Sequence, residues 1–349
     1  MPRLPRLTGA ATAALALGLV AAAPAAPAAS AATTPFAASG ATAPSAGSGA
    51  RDESLVTDAR VVARFGLAAG QTPENIALEP DGSADLTFAF ARTVAHVTVD
   101  GITTSRAELP GVANPATPVV RSAVVTGIAR AHDGTLYVNY ATGTSATGVW
   151  RVSPGGVPVQ IAQLPPDGFP NGLALDERRG VLYAADSVRG TVWRVPQAGG
   201  AATAWATGPA LAPLPAPPAS GFGANGIKVH RDAVWVSNTD RGTLLRIPVV
   251  TSGSAGPVET RGDGLDGIDD FAFPGHGGSA LVALSSGGKL VLVRPDGTAT
   301  TLLTAGDGLS DPASVAVRGR TVYVPSAAFF TRRDPNLLLA HLRHLIGRG

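Results

Sequence analysis

From Leu55 onward, apolar and polar residues alternate in short runs, and the runs are separated by Gly, Pro and Asp. Almost no stretch repeats at the helical period, whereas alternation at a period of two marks strands with one face in a core. The runs also recur as copies of one another. Asn171-Gly-Leu-Ala-Leu is followed by a turn, then Val181-Leu-Tyr-Ala-Ala-Asp186 and Gly190-Thr-Val-Trp-Arg-Val195. Asn225-Gly-Ile-Lys-Val leads in the same way to Ala233-Val-Trp-Val-Ser-Asn238 and Gly242-Thr-Leu-Leu-Arg-Ile247. A third copy begins at Thr126-Gly-Ile-Ala-Arg, and weaker ones begin at Glu74, Asp269 and Ala313.

The six starts lie 44 to 54 residues apart. Each interval holds four strands, the content of one blade, so the repeat predicts an all-β, six-bladed β-propeller over 55–349. A β-sandwich with coincidental spacing is the competing architecture. Blade 6 lacks an outermost strand, while Ala59-Arg-Val-Val-Ala-Arg-Phe65 stands unassigned before blade 1. Pairing the two closes the ring and removes its free edges. The Leu-rich tail from Asn336 to Ile346 fits either a last strand or a short helix.

Composition changes the picture at the N-terminus. Residues 1–31 carry Arg3 and Arg6, then an apolar stretch, then Ala29-Ser30-Ala31, which reads as a secretory signal peptide and its cleavage site. Residues 32–54 are rich in Ala, Ser, Thr, Gly and Pro, as in a disordered leader. No second hydrophobic span follows, so the expected product is secreted, without a membrane span, and monomeric. Apart from Arg3 and Arg6, the 27 basic residues are matched in number by the 25 acidic ones. No cationic excess is left for a nucleic-acid partner. There is no Cys, which excludes disulfides and thiolate metal sites and leaves stability to core burial.

The innermost strands of a propeller start together around the central channel. Their leading residues are Glu74, Thr126, Asn171, Asn225, Asp269 and Ala313. Any one of these is an ordinary turn residue. Together, the two carboxylates (Glu74, Asp269) and two amides (Asn171, Asn225) match a hard divalent cation, Ca²⁺, with coordination positions left open. Asp266 and Asp270 flank Asp269, and the register of Asp270-Phe-Ala-Phe against Gly172-Leu-Ala-Leu favours Asp269 as the ligand.

With these leaders, and through Pro170-Asn-Gly-Leu-Ala-Leu and Val181-Leu-Tyr-Ala-Ala-Asp-Ser187, the chain resembles the gluconolactonase and senescence marker protein superfamily of calcium-dependent propellers. That superfamily includes diisopropyl-fluorophosphatase and the paraoxonases. The resemblance implies one catalytic Ca²⁺ at the channel mouth, held by Glu74, Asn171, Asn225 and Asp269. It implies hydrolysis of a lactone, ester or phosphoester, with Asp269 as general base or nucleophile.

His132, His230 and His276 fall after the first strands of their blades, on the face opposite the proposed metal, so a paraoxonase-like histidine dyad is not expected. Loops on the metal face should supply the pocket for a small-molecule substrate, with Tyr140, Phe169, Asp186, Phe222 and Asn238 as candidates, together with Phe88, Phe90 and Phe329. The Ala/Pro-rich insert from Pro209 to Ser220 should rise at its rim. The alternative function is a non-catalytic propeller with a structural Ca²⁺ that binds a protein or glycan.

Overall fold

The structure is a computed structural model describing residues 55–343. The expected signal peptide over 1–31 and the expected leader over 32–54 lie outside the described residues. The described chain forms six four-stranded antiparallel sheets, and its only helical turns are 3₁₀ segments at Leu67–Ala69 and Ala305–Asp307. No helix of the described residues is long and apolar enough to cross a membrane.

The innermost strands of blades 1 to 6 are Pro73–Leu78, Val124–Arg130, Pro170–Asp176, Ala224–His230, Ile268–Ala272 and Ala316–Arg318. Each contacts the next, and the last contacts the first, so the ring is closed. The closure uses the N-terminal strand: Val56–Arg64 pairs antiparallel with Asn336–Leu342 as the outermost strand of blade 6. The Leu-rich tail is therefore a strand, and its alternation serves two neighbouring layers. Most of the core consists of six apolar clusters, each formed mainly between two adjacent blades, and a smaller seventh gathers Ala89, Val124, Ala141 and Phe169. Tyr183, Val192, Ile227 and Leu245 interlock blades 3 and 4 in this way, each at most 1% exposed. Burial on both faces of every sheet explains why a chain without disulfides can hold this ring.

The inner strands share an irregularity that sets up the channel. Between Pro170 and Leu173 the inner strand advances three residues while its partner advances two, from Asp186 to Ala184. The same single extra residue occurs at Val125–Ile128, Ala224–Ile227, Ile268–Phe271 and Pro73–Asn75. These are β-bulges, which bend the strand and re-aim a side chain. In blades 1 to 5 the bulge falls at the leading residue, so Glu74, Thr126, Asn171, Asn225 and Asp269 turn toward the axis instead of into the sheet.

Glycines make the bulges fit. A Cβ on Gly172 would lie 2.4 Å from the Asn225 carbonyl oxygen, and one on Gly127 would lie 2.4 Å from that of Asn171. The Gly of each Asn-Gly or Thr-Gly pair thus allows neighbouring backbones to approach, a packing role and not a hairpin one. Side-chain hydroxyls tie the bulges of blades 2 to 5 to the blade before: Thr87 donates to the Thr126 carbonyl at 2.6 Å, and Ser187 donates to that of Ala224 at 2.7 Å.

Candidate metal centre and pocket

Glu74, Asn171, Asn225 and Asp269 are each less than 10% exposed, and all four line one cavity of about 600 Å³. The Asn171 amide nitrogen donates to Ser187 Oγ at 3.2 Å, and that of Asn225 donates to Thr239 Oγ1 at 2.9 Å. With both nitrogens engaged by hydroxyls of their own blades, the amide oxygens are left for the cavity. The Asn225 amide also lies close enough to Asp269 to favour its ionised form.

The carboxylates are poorly compensated. Glu74 Oε2 is buried and has no hydrogen-bond partner. Burial first, and then the charge of Asp270, pushes the Glu74 carboxyl up to about 8. Asp269 is pushed well above the usual carboxylate range by burial, then by Glu74 and Asp270, against a smaller lowering by Asn225 and Lys228. Two acids that share an apolar surround, with only Lys228 nearby and that ammonium already paired with Asp270, favour the neutral form. An external divalent cation would reverse that preference, so the donor set fits a Ca²⁺-type ion. Among the described residues, no group of three or more His, Asp or Glu side chains forms a metal cluster. The fit therefore depends on the amides as much as on the acids.

The flanking acids are placed differently. Asp270 is 1% exposed and bound on all sides: Lys228 Nζ at 2.6 Å, Ser314 Oγ at 2.6 Å and Asn75 Nδ2 at 3.2 Å. Asp266 lies exposed at the rim of the cavity. Lys228 was overlooked as a channel residue, yet it had a sequence signal. It occupies the fourth position of its repeat, where the other five blades carry Ala77, Ala129, Ala174, Ala272 and Ala316.

Around this floor, Phe90, Phe169, Phe222 and Phe329 form the wall. Phe169 packs edge-on to Phe222 at 5.3 Å, and Phe90 to Phe329 at 6.2 Å. Four expected wall residues are corrected. Tyr140 is fully buried between blades 1 and 2, and its hydroxyl donates to the Pro110 carbonyl at 2.7 Å. Asp186 and Asn238 are also fully buried and act on backbone: Asp186 accepts from the Phe169 amide, and Asn238 donates to the Ala210 and Ala212 carbonyls. Phe88 likewise sits in the core, against Phe65.

The cavity-facing residue of blade 4 is one position further along, at Thr239. Ser285 follows its strand as Thr239 and Ser187 follow theirs, but its buried hydroxyl has no partner. The insert reaches the cavity through Ala219 and Ser220, held by Asp240, which accepts from the Leu214, Ser220 and Gly221 amides. His230 lies at the far end of its strand, stacked on Phe273 at 4.0 Å.

No protein-family model matches the chain, and no curated protein matches it. Solved structures do. A candidate gluconolactonase is 16% identical, with 82% of this chain and 92% of that one covered and a TM-score of 0.59. Regucalcin from Agrobacterium tumefaciens, a calcium-binding protein, is 17% identical over 78% and 90% of the chains, with a TM-score of 0.57. The virginiamycin B lyase of Staphylococcus aureus, as an inactive variant with quinupristin, is 15% identical over 82% and 100%, with a TM-score of 0.52. At these identities the likeness is one of fold: the chain is a six-bladed β-propeller similar in architecture to regucalcin and the candidate gluconolactonase.

Proposed function

We propose that the protein is a secreted, Ca²⁺-dependent hydrolase of lactones, esters or phosphoesters, with Glu74, Asn171, Asn225 and Asp269 holding the ion. The carrying observation is the buried, uncompensated pair Glu74 and Asp269 at the floor of an open cavity, with Glu74 Oε2 unpartnered. When bound, the ion supplies Lewis-acid polarisation of a carbonyl or phosphoryl oxygen. Asp269 is the general base or nucleophile, because it faces the cavity while Asp270 is consumed by Lys228, Ser314 and Asn75. The neighbouring Asn225 amide favours the ionised form of the Asp269 carboxylate. The phenylalanine wall limits water around a bound substrate, which strengthens the electrostatics of the floor.

The test is turnover of a lactone, ester and phosphoester panel, with and without a chelator, in wild type and Asp269→Asn. Turnover that requires Ca²⁺ and falls at least about 10³-fold in the variant supports the hydrolase. If chelation lowers the melting temperature while no substrate is consumed by the Ca²⁺-loaded protein, the non-catalytic binding propeller replaces it.

A further inference from the structure

The cavity is divided by chemistry. Its upper wall is made of Phe90, Phe169, Phe222, Phe329, Val119 and Val120, drawn from blades 1, 2, 3, 4 and 6. Apolar side chains continue out to the mouth, where Phe330 is 67% exposed, Val119 48% and Phe90 36%. Such a concentration of exposed apolar residues at one opening marks a binding surface.

The loops that carry this wall are held in shape by the chain itself. Val119 has a φ of 62°, a left-handed conformation that a β-branched residue rarely adopts. Its loop is fastened by Thr117, whose hydroxyl donates to the Ser122 carbonyl and accepts from the Ser122 amide. Ala328, before Phe329, has a φ of 56°, and Asp311 accepts from the Phe330 and Thr331 amides that follow. Strain of this kind persists where the surrounding structure over-determines it, and it gathers at ligand sites.

The polar side chains beside the phenylalanine wall are occupied by that fastening, and the lining residues Asp266 and Ser286, which have no such partner, lie exposed on the blade 5 side, away from the wall. Asp186, Asp240 and Asp311 each accept two or more backbone amides, and Thr239 donates to the Ile268 carbonyl while accepting from Asn225. A polyhydroxylated ligand would need free donors and acceptors there, and burying its hydroxyls without them costs affinity. Below the wall, the unpartnered hydroxyl of Ser285 and the acid floor remain available for one compact polar group.

We propose that the ligand is a molecule with one hydrolysable polar head and an apolar body, an alkyl chain or aromatic ring, and not a sugar-like polyol. The head sits at the floor near Ser285 and the body lies along the phenylalanine wall. Turnover rests on the hydrolase reading given above, whereas the ligand class rests on the cavity alone.

The experiment has two arms on the Ca²⁺-loaded full chain. One measures kcat/KM along the γ-lactones from γ-butyrolactone to γ-dodecalactone, beside D-glucono-1,5-lactone. The other measures binding of the neutral fluorescent probe N-phenyl-1-naphthylamine, which needs no chemistry. Each variant, Phe90→Ser at the exposed mouth and Phe222→Ser deeper in, is checked first by its melting temperature. Each added methylene that reaches the wall should raise kcat/KM up to about fourfold, and both variants should weaken the probe by about tenfold or more. A rate that is flat along the series, or highest for the polyol lactone, overturns the proposal. Saturable probe binding that the variants weaken, without turnover of any lactone or of the ester and phosphoester panel, upholds the ligand class and removes the hydrolase reading. Absence of both turnover and probe binding overturns the ligand class as well.

Discussion

The strand Pro73–Leu78 has a buried carboxylate at each end, and the two ends are completed in different ways. At its far end, Glu79 and Asp85 are matched by cations of the chain. Arg106 reaches Glu79 at 2.9 Å and Asp85 at 2.8 Å, Arg130 reaches Glu79 at 2.8 Å, and His96 lies 3.1 Å from Asp85. At its near end, Glu74 and Asp269 have no guanidinium or imidazole, and the one ammonium of the channel, Lys228, is bound to Asp270. The cost of taking carboxylates out of water is the same at both ends. The pair at the far end is neutralised by built-in arginines, whereas the pair at the near end is neutral only while its carboxyls keep their protons, unless a cation is supplied from outside. That difference is the physical case for a metal at the mouth.

Removing the built-in channel cation should have the largest effect on stability. Lys228→Met leaves Asp270 buried with only Ser314 and Asn75, and should cost about 3 kcal/mol or more in urea denaturation. The metal-free protein should also lose stability as pH rises. Glu74 ionises near 4.5 when unfolded and near 8 when folded, so between these values the unfolded chain has released a proton that the native state retains. The native state then binds more protons, and the free energy of unfolding falls across that window by an amount on the order of 2 kcal/mol or more. Asp85, raised from 3.8 to about 7 chiefly by burial, adds the same sign of slope at the other end, ending near pH 7. Saturating Ca²⁺ should abolish the part that extends to pH 8 and leave the Asp85 part; melting temperatures at a series of pH values, with and without Ca²⁺, check this. The smallest effect is expected for Arg106→Met, which is 30% exposed at its side chain. It should cost about 1–2 kcal/mol and leave Ca²⁺ affinity within about twofold. A large loss of Ca²⁺ affinity would show that the two ends are not independent.

The arrangement of blades was legible in the sequence because each inner strand repeats one pattern, and because blade 6 lacked an outermost strand while the segment at 59–65 stood unassigned; the tail at 336–346 stayed open between strand and helix until its pairing with that segment was seen. The convergence of Glu74, Asn171, Asn225 and Asp269 followed from that register. The bulges that aim these side chains were not legible, since one extra residue in a strand leaves no mark in an alternation already broken by Asn-Gly. The same blindness misplaced Asp186 and Asn238. In a strand with a period of two, a slip of one position exchanges an anchoring residue for a cavity-facing one, here Asn238 for Thr239. Tyr140 misled for a different reason: an aromatic at a strand end fits a pocket wall and an interblade core equally well until the neighbouring blade is in place. Lys228 could have been found, as the single charge in a column of alanines.

The central claim is that Glu74, Asn171, Asn225 and Asp269 form a site completed by one divalent cation. Calorimetric titration of Ca²⁺ into the metal-free wild type and into the Glu74→Gln, Asp269→Asn double variant tests it most directly. One ion should bind per wild-type chain, and the double variant, although folded and more stable without metal than the metal-free wild type, should show at least about a hundredfold weaker binding. Undiminished affinity in the double variant, or no binding by the wild type, would contradict the account.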